Sequence, residues 1–87
     1  MFLEGNIIAG EFDSTMNEFS LQRVKNFDLE SVLKQNQLNQ IYQYLIKHQN
    51  EEDGQFITLY DQLPVRLSQS EINQLIGDLE KVMSMYH

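Results

Sequence analysis

Residues 68–86 read SQSEINQLIGDLEKVMSMY, the most regular run of the chain and the one on which a reading of the fold turns. Ser68 followed by Glu71 matches a capping box: the hydroxyl accepts from an unpaired amide of the first turn, and the carboxylate reaches back to the cap backbone. Leu67 and Ile72 flank this start as a hydrophobic staple. Beyond it Ile72, Leu75, Ile76, Leu79, Val82, Met83 and Tyr86 fall on one stripe at about 100° per residue. The pattern predicts a helix that begins after Ser68 and buries this stripe. Gly77 inside it costs about 1 kcal/mol relative to alanine, which points to a closely packed neighbour.

Working back from that helix, the signals are mixed. Asp28 has the chemistry of an N-cap, with Phe27 and Val32 spaced as a staple and Glu30 favourable to the helix N-terminus. This predicts a helix running from there toward His48. Leu29, Val32 and Leu33 nevertheless point away from Leu38, Ile41, Tyr42 and Leu45 on a helical projection, so a break or kink is expected near Gln35 and Asn36. Residues 50–54 (NEEDG) compose a turn. Thr58 to Asp61 repeats the capping pattern and predicts a short helix that stops before Pro64. Residues 6–12 and 18–24 can pair as a hairpin across residues 13–17, with a short helix capped at Thr15 as the alternative.

At 87 residues the chain is one domain. The expectation is a mainly α fold, with α+β as the alternative. A three-helix core over about residues 38–85 follows a short helix and an N-terminal hairpin or irregular arm. The arm takes residues 1–25 and the helical core residues 28–87.

The order helix (LNQIYQYLIKHQ), short helix (ITLYDQL), Pro-Val-Arg-Leu turn and capped helix (SQSEINQLIGDLEKV) resembles the three-helix core of helix-turn-helix and winged-helix transcription factors. It covers roughly the last 50 residues. The resemblance implies a third helix entering the major groove with its early polar residues on base edges. Those would be Gln69, Ser70, Asn73 and Gln74 with Arg66 before them, and Asn and Gln pair bidentately with adenine. The chain departs from that pattern: no basic wing follows, Glu71, Asp78 and Glu80 lie on the helix itself, and only Lys47, Arg66 and Lys81 supply positive charge in this part. A DNA-binding regulator is therefore the second reading, because phosphate binding needs several Lys or Arg.

Charge carries the first reading. Thirteen acids against six bases leave a net charge of -7, which repels phosphate backbones and anionic membranes. Residues 1–20 hold four acids and no base, residues 21–50 a surplus of two bases, and residues 51–87 seven acids against Arg66 and Lys81. There is no cysteine, and His48 and His87 are the only histidines. The glycines are scattered, and the acids beside His48 match no zinc or calcium pattern. An enzyme is not expected, nor a metal or cofactor. Apolar runs are far shorter than the roughly 18 residues of a membrane span, and no basic leader precedes an apolar stretch. Membrane insertion is thus not expected, and a cytoplasmic location is.

What remains is a binding surface. Tyr44 falls off the Leu38-Ile41-Tyr42-Leu45 stripe and Met85 off the C-terminal stripe, and both residue types are enriched at interfaces. Leu29, Val32 and Leu33 need covering, by the N-terminal segment or by a second copy of the chain in a homodimer. Tyr44, Met85, Leu29 and Leu33 are the candidate contacts. The expected function is a small acidic adaptor, regulator or inhibitor that binds a protein with a basic surface, a nucleic-acid-binding protein among the possibilities.

Overall fold

Hairpin-spaced apolar residues build a four-stranded antiparallel meander: β1 (Phe2–Glu4), β2 (Ile8–Asp13), β3 (Glu18–Val24) and β4 (Phe27–Leu33), paired in the order β1-β2-β3-β4. The computed structural model describes residues 1–50, 55–57 and 65–87. Helix α1 (Gln35–His48) follows β4 directly, then strands β5 (Gln55–Ile57) and β6 (Val65–Leu67) pair antiparallel, and helix α2 (Gln69–Met83) follows. The sheet and the helices share one core, in which Phe12, Phe19, Leu21 and Leu33 meet Leu38 and Leu45 of α1 and Ile72, Leu75, Leu79 and Val82 of α2.

The architecture is α+β, which corrects the expectation of a mainly helical chain with a three-helix, helix-turn-helix-like core. The decisive segment is β4. Read at helical spacing, Leu29, Val32 and Leu33 make a poor stripe; read at a period of two, Leu29, Ser31 and Leu33 face one side and Asp28, Glu30 and Val32 the other. Pairing with β3, from Phe19↔Leu33 to Val24↔Phe27 with a register irregularity opposite Leu29 and Glu30, holds the inward backbone groups of a segment that is too short to hold a helix alone. The break expected near Gln35 is the junction of this strand with α1, where the Lys34 amide donates to Gln37 Oε1 at 2.8 Å. Val65–Leu67, expected within a turn between helices, form β6. The short helix expected from Thr58 lies outside the described residues.

The capped helix is present, and the hairpin expected to pair residues 6–12 with 18–24 is present as β2 (Ile8–Asp13) and β3 (Glu18–Val24). In α2 the Glu71 amide donates to Ser68 Oγ at 3.2 Å and the Ser68 amide to Glu71 Oε1 at 2.9 Å. That second hydrogen bond, aided by Lys25 Nζ 3.1 Å from Glu71 Oε2, holds the Glu71 carboxyl below its ordinary value. Gly77 is not a close-packing position, since a Cβ there would meet nothing within 4 Å. The glycine that packing does require is Gly10, whose Cβ would strike the Ser20 carbonyl and the Phe19 ring.

Three devices tie the helical layer to the sheet. Asp78 of α2, 1% exposed, accepts from the amides of Asn6, Ile7 and Ile8 at 3.0, 2.7 and 3.2 Å. The Tyr86 ring packs edge-on against Phe12 with centroids 4.9 Å apart, and its hydroxyl donates to the Leu33 carbonyl at 2.6 Å. Burial pushes that phenol up to about 12. Finally, Asn17, in a left-handed conformation at φ 56°, exchanges two hydrogen bonds with the backbone of His87. Between the helices, Tyr42 donates to Glu80 Oε2 at 2.8 Å, and this carboxylate raises the Tyr42 phenol above its ordinary range.

Candidate functional site

Strand alternation sorts the meander into two faces. Cross-strand partners share a face, so the registers Phe2↔Glu11, Glu11↔Ser20 and Ser20↔Val32 trace one row across all four strands. A second row runs Glu4, Ala9, Arg23 and Asp28, and Asp13↔Glu18 closes the β2–β3 end. Between Asp28 and Val32, Glu30 points the same way by alternation. This face lies opposite the side that packs on the helices. It holds six of the thirteen acids, Glu4, Glu11, Asp13, Glu18, Asp28 and Glu30.

The same face carries apolar side chains in the open. Phe2 is 57% exposed and Val32 55%, at the two ends of the first row. Arg23 is the one base among the described residues of this face. Its Nη1 lies 3.7 Å from Glu4 Oε1 and its Nη2 donates to the Gly5 carbonyl at 3.5 Å, while its buried Nε has no partner. Arg23 thereby answers one acid. Asp13 is partly occupied by its own turn, since Oδ1 accepts from the amides of Thr15 and Met16 at 2.9 and 3.1 Å. With strands about 4.8 Å apart and same-face neighbours about 7 Å apart along a strand, the remaining carboxylates form an open array of negative charge.

The residues singled out from sequence are scattered by the fold. Tyr44 stands on the solvent side of α1, 41% exposed, its ring 4.5 Å from that of His48. Met85 and Leu29 are half-buried against the core. Leu33 is 2% exposed and belongs to the core, so the need for cover read from its sequence context is met by α1, α2 and Tyr86 rather than by a partner. Of the residues tied to the DNA reading, Arg66 is exposed on β6 and Ser70, Asn73 and Gln74 are exposed on the first turns of α2. Gln69 is half-buried and its side chain donates to the Gln49 carbonyl at 3.4 Å. They lie on β6 and the start of α2, and the described residues hold two helices beside the four-stranded sheet. Asp78, counted from sequence among the helix's repelling acids, is a structural acceptor.

Sequence reasoning missed Phe2, Glu11, Glu30 and Val32 as members of one face. The available signal was the two-residue alternation in residues 27–33, which the capping chemistry of Asp28 obscured. No group of three or more His, Cys, Asp or Glu among the described residues is placed to hold a metal ion. No helix among them is long and apolar enough to cross a membrane. Comparison with protein-family models, curated proteins and solved structures finds no match for this chain.

Proposed function

We propose that this protein acts by binding a protein partner with a basic surface, and that the solvent face of the four-stranded sheet is the contact. The observation that carries the reading is the coincidence, on one face, of six carboxylates with exposed Phe2 and Val32. Exposed apolar groups ringed by charge combine the two ingredients of a specific interface: area that gains from leaving water, and a field that steers and orients the partner. Phosphate backbones are repelled by the same field.

The test is affinity capture from cells with the whole chain as bait, followed by reconstitution with the purified candidate. Binding should weaken steeply between low and moderate salt, as charge-steered association does. Glu11→Lys combined with Glu30→Lys should abolish it, while Tyr44→Ala on the helical layer should leave it intact. A partner insensitive to the double reversal and lost with Tyr44→Ala would move the interface to α1 and overturn the assignment.

A further inference from the structure

Among the described residues, the open face ends at an unpaired edge. Strand β4 is last in the order β1-β2-β3-β4, so alternate members of its seven residues direct N–H and C=O away from β3. Among the described residues no strand pairs with that edge. Among the described residues, the contact on this edge is at its C-terminal end, where the Leu33 carbonyl accepts from Tyr86. The opposite edge is a poor template, because β1 has three residues. Proteins usually blunt such edges or cover them; β4 is long, and Asp28 and Glu30 give it a charge that chooses among partners.

We propose that β4 receives an extended segment of the partner as a fifth strand, with Lys or Arg at alternate positions beside Asp28, Glu30 and Val32 and apolar or β-branched residues on the other side beside Phe27 and Leu29. Main-chain pairing supplies affinity in this mode and alternate side chains supply specificity. Charge decides the occupant. A second copy pairing through β4 would gather Asp28 and Glu30 from both chains on one face, where opposed like charges destabilise; a basic strand converts each of those contacts into attraction. Phe27 is exposed at the start of β4, where an added strand would cover it. This rests on the reading that the acidic face takes a basic protein, and adds the edge and the backbone conformation of the bound segment.

The experiment titrates the whole chain with a nine-residue synthetic peptide in which lysine alternates with valine and threonine, read by NMR amide exchange. Its control is the same peptide N-methylated at alternate backbone amides, which keeps the charge and removes the strand-forming donors. The unmethylated peptide should slow exchange of the outward β4 amides by about tenfold or more, and methylation should weaken binding by a similar factor. Glu30→Lys, with an unchanged melting temperature as its folding control, should also weaken it. Equal binding of both peptides without protection of β4 would overturn the edge proposal and leave the basic-partner reading standing. Failure of both peptides to bind at low salt would overturn the two together. Protection of β4 by the chain's own association, rising with protein concentration in the absence of peptide, would replace the basic strand with a second copy.

Discussion

The two faces of the meander are made by the same strands and have opposite fates. The inner one, with Phe12, Phe19, Leu21 and Leu33, is sealed by α1, α2 and Tyr86. The outer one, offset by a single residue along each strand, exposes Glu11, Glu30, Phe2 and Val32. A one-residue slip in register would exchange them, so whatever pins the register also decides which surface is available for binding. Here the pins are close packing at Gly10 and the Asp78 carboxylate held by the turn between β1 and β2.

The contrast can be broken most severely from inside. Phe19→Ala should cost about 3–5 kcal/mol and Leu79→Ala about 2–5 kcal/mol, as large-to-small changes in a packed core do; urea melts measure both, and an unchanged midpoint for either would mean that the inner face is misassigned. Next comes the clamp. Asp78→Ala strands three amides and should cost about 3 kcal/mol, and Gly5→Ala should disturb the same contact from the other side, because its Cβ would press on the Asp78 carboxyl. If thermal melts show Asp78→Ala to be neutral, the turn holds itself.

Smaller effects sharpen the comparison. Glu71 has a lowered folded-state pKa, so its contribution is complete above the ordinary carboxylate value of 4.5 and is lost as pH falls through the folded value. Glu71→Gln should therefore lower stability by about 0.5–1 kcal/mol at neutral pH, and the gap from the parent should close in melts taken at progressively more acid pH. Gly77→Ala should stabilise by up to about 1 kcal/mol, since nothing crowds that position; a loss in thermal melting would reveal a neighbour there. On the outer face, Glu11→Lys and Glu30→Lys should shift stability by less than about 0.5 kcal/mol while abolishing partner binding.

Capping and caps travel well from sequence to structure, because they depend on residues three apart. Ser68 and Glu71 announce α2 and form the predicted reciprocal pair, and the hairpin of residues 8–24 is visible in its apolar alternation around a turn-rich centre. The same local logic misleads at Asp28, which has the chemistry of a helix cap yet sits in β4 opposite Arg23. The two-residue alternation in residues 27–33 is a weak signal beside that capping chemistry, and it is the pairing with β3 that decides for the strand. Leu33 likewise looked like a surface in search of a partner until α1 folded over it.

The sequence by itself determined a strongly acidic, cysteine-free chain, the position and polarity of α2 and the β2–β3 hairpin, since composition and short-range spacing are written in neighbouring residues. Only the tertiary structure decided that residues 27–33 are a strand, that Asp78 is a buried clamp rather than a surface charge, and that acids from all four strands lie on one face. Each of those depends on pairing between segments distant in the chain, where cross-strand hydrogen bonds and burial outweigh the weak local preferences that sequence records.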